Sequence, residues 1–479
     1  MTWRILFWLA VAILAGPANA QVAPPGTDAS ASWYRLVAGN DMTIGHRSQQ
    51  VTRTAQGRES VSIQEILLQE PGDPVTRVTS QTVIKEDKTG RIVSMSDYSQ
   101  TGRSWTRTVA KIEPGKAVIT RTTRSDSHTV TVALPPDVRF DSGAGLLRGW
   151  DGVNRLEFLN FSLDAQAIER MTIEALPHAH ASGHLSAIRK RYDGQQLRAV
   201  ARLEIGPGGR ILSVMQPMFG TRIAILPATR DEALAPHAPF RVLATVMIKS
   251  PVRIAQPATQ GHIRYRFGFR DGIEFAPPET GEQRVTYADG EAVVDICATC
   301  GPGLPTDPAY LADARRATPW LQSGNARIAA IVRRVAPSRV SDSRKMDLLR
   351  DETLRHIVRI DFTGHFSALE TVERGAGDCT EAAVLLAALG RAAGIPTRVV
   401  NGLVYSRERY HGVGNAFMPH SWVLAFVEGQ WRSYDAALLA FDSTHIALTI
   451  GDGDARSISA ASQLGSLLIW RAMTEVRTR

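Results

Sequence analysis

The feature that most constrains the fold is a change in hydrophobic periodicity near Pro305. Before it, from Ser32 to about Cys300, short β-branched and aromatic runs alternate with polar residues between glycine-rich turns. After it, apolar residues recur every three or four positions and predict helices over 320–336 and 344–360. Period two is typical of strands and the longer spacing of helices. The sequence therefore predicts an α+β protein, with an antiparallel β region before a C-terminal domain that begins with helices.

Four runs predict strands most clearly, because each is rich in β-branched or aromatic residues: 61–68, 117–121, 129–134 and 263–267. Turn residues, mostly glycine, stand between such runs at the spacing of sandwiches and curved sheets. Two breaks rich in glycine or proline, at 141–153 and 236–239, divide the region into two or three β units.

The first twenty residues have the pattern of a secretory signal peptide. Arg4 supplies a positive start, Ile5 to Gly16 is apolar, and Ala18-Asn19-Ala20 is the small-x-small sequence that a signal peptidase recognises. This apolar stretch rises only about 18 Å as a helix, whereas the hydrocarbon core of a membrane is about 30 Å thick. We therefore expect cleavage after Ala20 and an exported protein, periplasmic or secreted, that does not span the membrane.

Length and charge restrict the remaining chain less strongly. At about 100 to 200 residues per domain, 479 residues suffice for two to four domains. We assign a β region to 21–304 and a separate C-terminal domain to 305–479. The formal net charge of +8 is a mild bias towards anionic partners, such as an envelope component. No run of five like charges occurs, so we expect no nucleic-acid partner.

The chain has three cysteines, and in an exported protein cysteines tend to form disulfides because the compartment is oxidising. Cys297 and Cys300 follow a predicted strand and precede Gly301-Pro302-Gly303, which favours a local structural disulfide. A redox pair and half of a zinc site are the alternatives, and the first is weakened because a redox CxxC motif opens a helix. Cys379 is left as a free thiol.

A histidine-rich segment suggests metal binding but lacks a full set of ligands. His178, His180 and His184 are close in sequence, yet no carboxylate lies nearby, and Pro177 and Gly183 indicate a loop. We therefore favour a solvated loop and predict no metal or organic cofactor. The chain also contains no phosphate-binding loop, HExxH or GxSxG pattern.

Cys379 stands in the first turn of a predicted helix. The segment from Gly375 to Glu381 precedes a stripe of apolar residues, and Gly394 followed by Pro396 ends the helix. The N-terminus of a helix favours a thiolate and can hold an oxyanion through its unpaired N–H groups. We therefore expect Cys379 to be a nucleophile whose pKa lies below that of a free thiol.

A base and an orienting carboxylate follow on two predicted strands. His420 begins one alternating run and a second ends at Asp435, with Glu428-Gly429 between them as a two-residue hairpin loop. In that register Asp435 faces Trp422, and His420 is its diagonal neighbour on the same face, about 7 to 8 Å away. The two side chains can then hydrogen-bond, so that the carboxylate fixes the imidazole tautomer while the other ring nitrogen faces the thiol.

Taken together, these motifs resemble the core of the transglutaminase-like superfamily, which shares the papain-like fold. The resemblance covers about 60 residues, from Gly375 to Asp435, and preserves the order Cys, His, Asp. It rests on segments that recur together: Gly377 to Glu381, 389–402, His420 to Trp422 and Trp431 to Asp435. The resemblance implies that Cys379 is the nucleophile, His420 the general base and Asp435 the orienting residue.

The chain departs from the family pattern at two places. Ser421 stands where alanine is common, and Ala436-Ala437 stands where many members have proline and then a small residue. Neither departure touches the reacting groups. An upstream aromatic residue that helps the oxyanion in some members has no matching motif here, since neither Trp320 nor Phe366 sits in one.

Each residue also has a plainer interpretation when taken singly. A lone cysteine is usually inert core packing, a histidine before a strand is usually a surface residue, and an aspartate after a strand is usually a turn or cap. Their joint order and spacing favour the triad. We expect Trp422 and Trp431 to be core and shielding residues. The segment 405–411 is either a substrate-binding lid or a surface loop.

The residues and the resemblance predict an exported cysteine-dependent acyl-transfer enzyme that acts on peptide or amide bonds. Water as the acceptor gives a peptidase or amidase, and an amine gives a cross-linking transglutaminase. We favour hydrolysis, because an amine acceptor needs a site of its own. The alternative is a non-catalytic envelope binding or assembly protein that retains the transglutaminase-like scaffold. The β region would serve recognition in either case.

Overall fold

A computed structural model describes residues 31–39, 41–69, 74–102, 104–124, 127–140, 146–176, 184–218, 221–242, 245, 247–360, 365–408 and 413–476. The signal-peptide prediction falls outside these ranges and stays a prediction. The chain forms two compact units, which divide between Val242 and Leu243. The candidate break at 236–239 lies just before this division.

The first unit is built on one sheet of fifteen strands, in the order β8 down to β1 and then β15 down to β9. Neighbouring strands pair antiparallel, except that β9 and β10 are parallel. The elements are β1 Ser32–Ala38, β2 Met42–Thr54, β3 Gly57–Leu68, β4 Thr76–Asp87, β5 Ile92–Thr101, β6 Ser104–Glu113, β7 Lys116–Thr122, β8 Ser127–Ala133, β9 Arg139–Phe140, β10 Leu156–Ser162, β11 Ala167–Ala175, β12 Leu185–Asp193, β13 Gln196–Gly206, β14 Arg210–Met218, β15 Thr221–Ala228 and the helix α1 Arg230–Leu234. The predicted antiparallel β region is confirmed.

The core of this unit follows the alternation of the strands. Met95, Ala110 and Ile119 pair across β5, β6 and β7 and are buried on one face, where they pack with Phe161 of β10. Because β1 also pairs with β15, the first and last strands join two meanders into one sheet. Residues 32–228 therefore share a sheet where the local breaks suggested two or three units. A pairing between strands so far apart in sequence leaves no local signal.

The second unit combines helices with a five-stranded sheet and two smaller sheets, of four and two strands. Its strands are β16 Ile248–Lys249, β17 Ile263–Phe269, β18 Gln283–Ala288, β19 Glu291–Ile296, β20 Arg359–Ile360, β21 Ala376–Gly377, β22 Thr397–Ser406, β23 Ala416–Val427, β24 Gln430–Tyr434, β25 Ile446–Gly451 and β26 Leu468–Glu475. Its helices are α2 Gln256–Thr259, α3 Pro308–Asp313, α4 Ala326–Val335, α5 Asp342–His356, α6 Ala368–Arg374, α7 Cys379–Ala392 and α8 Ala455–Leu467. None of the helices in the described ranges is long and apolar enough to cross a membrane.

The five-stranded sheet has a gap along one edge of β23. One edge pairs with β22 from Ala416 to Ala425. The other edge pairs with β16 only at Ala416 and Phe417, and with β24 only from Val423 onwards. The residues between these two contacts, 418–422, therefore have no strand partner on that edge among the described residues. His420 and Ser421 lie within this gap.

Helix α7 packs on this sheet as its central core helix. Its residues are buried from Cys379 to Arg391, because α4 and α5 cover one side and Val423 and Ala425 of β23 the other. The single apolar stripe that the sequence predicted is therefore too narrow. The helices predicted over 320–336 and 344–360 are present as α4 and α5 with shifted ends. Asn325 and Ser341 cap them and set where they begin.

A four-stranded sheet, in the order β18-β19-β17-β26, completes this unit. Cys297 and Cys300 form a disulfide directly after β19, so the predicted structural disulfide is present. β26 pairs with β17, so the C-terminal strand joins residues 263–296 to the second unit. This long-range pairing explains why residues that the sequence assigned to the β region lie in the same unit as Cys379. The domain boundary between 304 and 305 stays a prediction.

Candidate active site

Cys379 is the first residue of helix α7, and a capping box fixes where that helix begins. Asp378 Oδ1 accepts a hydrogen bond from the Thr380 amide at 2.7 Å, and the Glu381 amide also donates to the Asp378 side chain. In return Glu381 Oε2 accepts from the Asp378 amide at 2.9 Å. Gly377 is required here, because a Cβ atom would lie 2.4 Å from Cβ of Glu381. The cap leaves the amide of Cys379 itself unengaged.

The sulfur of Cys379 lies against the gap in β23. The thiol is buried, with 2% of the residue exposed, and the Ser421 backbone amide donates a hydrogen bond to Sγ. Because Ser421 follows His420 in the strand, this bond places the thiol next to the stretch of β23 that carries the predicted base. The pairing of Cys379 with His420 as nucleophile and base stays a prediction.

The pKa of Cys379 is raised, so the expectation of a lowered pKa is wrong. Burial raises the pKa of the thiol well above its usual value, the neighbouring Asp378 raises it further, and Asp435 and Glu381 add to the effect. The Ser421 hydrogen bond lowers it only in part. The cap explains why the helix N-terminus does not dominate: it engages the N–H groups of Thr380 and Glu381 and places a carboxyl beside the sulfur.

His420 and Asp435 are hydrogen-bonded across the predicted hairpin. Val423 faces Tyr434 and Val427 faces Gln430, which is the register that the two-residue loop predicted. Glu428 and Gly429 both have positive φ, 46° and 78°, as a type I′ turn needs. His420 Nε2 lies 2.6 Å from Asp435 Oδ2, so the predicted contact is confirmed. His420 Nδ1 is buried and has no hydrogen-bond partner among the described residues.

Asp435 accepts four hydrogen bonds although it is only 1% exposed. The amides of Ala437 and Leu438 donate to Oδ1 at 2.7 and 2.9 Å, and His445 Nε2 lies 3.0 Å from Oδ2, which it shares with His420. Burial alone would raise the pKa of Asp435, but the two imidazoles hold it well below its usual range. Asp435 is therefore ionised at neutral pH, and an ionised carboxylate can only accept from His420 Nε2–H.

His445 is the residue that sequence reasoning missed. It stands one residue before β25, and its Nδ1 lies 3.1 Å from Asp442 Oδ1. Burial would lower its pKa, but hydrogen bonds to Asp435 and Asp442 raise it to about 9. Asp-Ser-Thr-His matches no motif, and only the return of the chain along β25 brings the ring to Asp435. Its sequence therefore carried no signal.

The tryptophans near the triad are core residues, as predicted. Trp422 is 1% and Trp431 3% exposed, and both pack with Leu304 and Ala447 in one cluster. The Trp431 indole donates to the Pro305 carbonyl at 3.2 Å. The indole nitrogen of Trp422 is buried and has no partner among the residues described.

Trp320 and Phe366, which no sequence motif assigned to the site, lie near Glu381 of the capping box. The Phe366 amide donates to Glu381 Oε1 at 3.1 Å. The Trp320 ring stacks on the His365 ring with centroids 4.2 Å apart, and His365 Nδ1 is 3.5 Å from the same Glu381 oxygen. Both aromatic residues therefore approach the capping box of α7 through Glu381.

Three side chains could present ligand atoms to a metal. Atoms of His420, Asp435 and His445 lie within 4.8 Å of one another. The hydrogen bonds from the two imidazoles to Asp435 account for this proximity, and we assign no metal to the cluster. The histidine-rich segment cannot be compared with its prediction, because His178 and His180 lie outside the described residues.

One family model matches the chain, and it covers this site. Residues 337–436 match the transglutaminase-like superfamily, and this range contains Cys379, His420 and Asp435. The C-terminal region is therefore a transglutaminase-like domain with a cysteine-dependent acyl-transfer fold, and the resemblance seen in the sequence is confirmed. No curated protein matches the chain.

Solved structures similar to this chain include three of low identity. A candidate cysteine protease from Cytophaga hutchinsonii is 15% identical over 45% of this chain and 86% of its own, with a TM-score of 0.28. The periplasmic domain of TgpA from Pseudomonas aeruginosa, bound to ethylmercury, is 16% identical over 47% and 83%, with a TM-score of 0.26. A β-barrel-like protein of the DUF1849 domain from Brucella abortus is 13% identical over 42% and 95%, with a TM-score of 0.32.

Proposed function

We propose that the transglutaminase-like domain is an enzyme that cleaves amide bonds through a thioester on Cys379. The observation that carries the proposal is the hydrogen bonding of His420, the proposed base. His420 Nε2 contacts the ionised Asp435, so Nδ1, which is buried and has no partner among the described residues, is the nitrogen left to act as the base. The Ser421 amide, one residue along β23 from His420, donates to the sulfur of Cys379 and supports this pairing.

The raised pKa of Cys379 means that the thiol enters the reaction protonated. As the sulfur forms a bond to the substrate carbonyl carbon, His420 Nδ1 takes the thiol proton and the carbonyl oxygen becomes an oxyanion. The amide of Cys379, which takes no part in the capping box, is the candidate donor to that oxyanion. When the C–N bond breaks, the imidazolium returns its proton to the leaving amine. Asp435 stays ionised and supports the positive ring throughout.

The second half of the reaction decides between hydrolysis and transfer. Water, deprotonated by His420, cleaves the thioester to a carboxylic acid, whereas an amine forms a new amide; either step regenerates the thiol. We favour a peptidase or amidase, because an amine acceptor needs a second binding site. The residues named serve both outcomes.

A labelled peptide library with an added labelled primary amine separates these outcomes. We expect hydrolysed peptides as the main product and little amine incorporation. Cys379→Ala should lose at least about a thousandfold of the activity. The matched control is the double variant Cys297→Ser, Cys300→Ser, which removes the other cysteines and should keep the activity. Dominant amine incorporation would instead favour a cross-linking transglutaminase.

A second candidate function follows from the burial of the site. Cys379, His420 and Asp435 are each 2% exposed or less, which a retained scaffold without catalysis would also allow. In that case the protein would bind or assemble an envelope component, and Cys379→Ala would leave its cellular phenotype unchanged. The buried, ionised Asp435 favours the enzyme, because a scaffold without catalysis gains nothing from a buried charge that is costly to desolvate.

Export is part of the proposal. We propose that residues 1–20 are a signal peptide cleaved after Ala20, and that the β region at 21–304 recognises an anionic envelope component or the substrate while 305–479 carries catalysis. Mass spectrometry of the native N-terminus tests the first point. Gln21 as the first residue supports export, and an intact Met1 contradicts it.

A further inference from the structure

His445, in the turn before β25, places a second imidazole on Asp435, at a position that belongs to none of the motifs found in the sequence. His445 Nε2 is 3.0 Å from Asp435 Oδ2, the oxygen that His420 Nε2 also contacts. The two rings are edge to face with centroids 5.6 Å apart. A carboxylate oxygen has two lone pairs, so Oδ2 can accept from both rings at once.

The turn that carries His445 is held from several directions. Asp442 Oδ1 accepts the amide and hydroxyl of Thr444 at 2.9 and 2.6 Å. Ser443 donates its amide to the Thr259 carbonyl at 2.8 Å, and its own carbonyl accepts from the Tyr265 hydroxyl at 2.9 Å. The ring of His445 is therefore fixed by the surrounding fold and does not depend on His420 for its position.

His445 faces a carboxylate on each ring nitrogen, Asp435 at Nε2 and Asp442 at Nδ1. The Asp442 amide lies 3.2 Å from Nδ1, but Asp442 Oδ1 and the Asp442 carbonyl oxygen both lie 3.1 Å from it. Two acceptors at Nδ1 and a third at Nε2 favour the imidazolium, which alone can donate from both nitrogens. The same contacts raise the pKa of His445 to about 9 although burial opposes it. The other titratable groups around this pair are His420, Cys379 and Tyr265, with Asp378 and Glu381 behind Cys379.

The positive charge of His445 acts on both His420 and Cys379, the base and the nucleophile of the proposed reaction. It compensates the charge of Asp435, which would otherwise draw a proton onto His420 and oppose ionisation of Cys379. It also keeps Asp435 ionised and accepting, so that His420 carries its proton on Nε2 and leaves Nδ1 available.

We propose that His445 is a positioning residue for the reaction: by sharing Asp435 Oδ2 with His420, it sets the tautomer of the base and offsets the charge of Asp435 that would oppose ionisation of the thiol. This inference rests on the proposed function and assigns His445 no contact with the substrate. Removal of its positive charge should raise the pKa of Cys379.

The test is the pH dependence of alkylation of Cys379 by iodoacetamide in the full chain, followed by peptide mapping. His445→Gln keeps a hydrogen-bond donor and removes the charge. Below pH 9, where His445 carries its charge, we expect the variant to be alkylated about tenfold more slowly than the wild-type protein at the same pH. His262→Gln is the matched control, because His262 also pairs with a carboxylate, Asp295 at 2.6 Å, in the disulfide-bearing sheet. It should leave the profile unchanged.

A purely structural role for His445 would lower stability without moving the profile, so an unchanged profile in folded His445→Gln overturns the inference. If this variant does not fold, histidine NMR of the wild-type protein decides. A buried histidine that titrates near pH 9 supports the inference, and two buried histidines that are both neutral at pH 8 overturn it. Failure of the proposed function has a different signature: the wild-type protein would form no thioester with an acyl donor, whatever His445 does.

Discussion

The backbone amide of Ser421 donates a hydrogen bond to the sulfur of Cys379. This bond forms in the gap that β16 and β24 leave along one edge of β23, where an amide would otherwise lack a partner. It depends on the backbone and not on the serine side chain, whose hydroxyl donates to Asn401 at 2.7 Å. The departure from alanine at this position therefore does not change how the thiol is held.

Alkylation of Cys379 should be slow in the free protein at pH 7. Burial, Asp378 and the other nearby carboxyls raise the pKa of the thiol, so the thiolate fraction is small. We expect iodoacetamide to modify the folded protein at least about tenfold more slowly than the urea-unfolded protein at the same pH. The rate should rise with pH beyond 9. Fast, selective modification of folded Cys379 at pH 7 would contradict the raised pKa.

Asp435→Asn should remove most of the activity while the fold remains. Asparagine keeps the size of the side chain but can present an N–H group to His420 Nε2, which moves the ring proton to Nδ1 and removes the base. The expected loss in kcat is about 10⁴-fold. Circular dichroism controls for folding, and steady-state kinetics on the peptide found for the wild-type protein gives the loss. A variant within about tenfold of wild type would contradict the assigned tautomer.

Stability should fall as the pH rises from about 6.5 towards 9. The pKa of His445 is raised in the folded protein to about 9, from about 6.5 in the unfolded chain. A raised pKa contributes stability that is complete below the unfolded value and is lost as the pH approaches the folded value. The contribution is at most about 3 kcal/mol. Urea unfolding at pH 6 and pH 8 should show the fall, and His445→Gln should reduce it.

The hairpin could be predicted because its signals are local. Glu428-Gly429 allows a two-residue turn, the turn fixes the register, and the register sets His420 diagonal to Asp435. The capped start of α7 at Cys379 is local in the same sense, since Asp378 and Glu381 lie within one helical turn. The contact between His420 and Asp435 is confirmed, and the addition of Cys379 to this pair stays a prediction.

The features that could not be predicted depend on contacts between distant segments. Two such contacts are the pairing of β1 with β15 and the pairing of β17 with β26. The sequence of each strand does not indicate which distant strand it pairs with. His445 reaches Asp435 only through the return of β25. The raised pKa of Cys379 could not be predicted either. Burial by α4, α5 and β23 raises this pKa more than the N-terminus of α7 lowers it, and burial depends on the packing of the whole core.

The most direct test of the account is to trap the acyl-enzyme. The wild-type protein is mixed briefly with a labelled peptide substrate or an activated ester, quenched in acid, digested and mapped by mass spectrometry. We predict one acyl group per chain, as a thioester on Cys379, and none in Cys379→Ala, while His420→Ala should accumulate it far more slowly. Product formation with no label on Cys379, or with the label on another residue, would contradict the account.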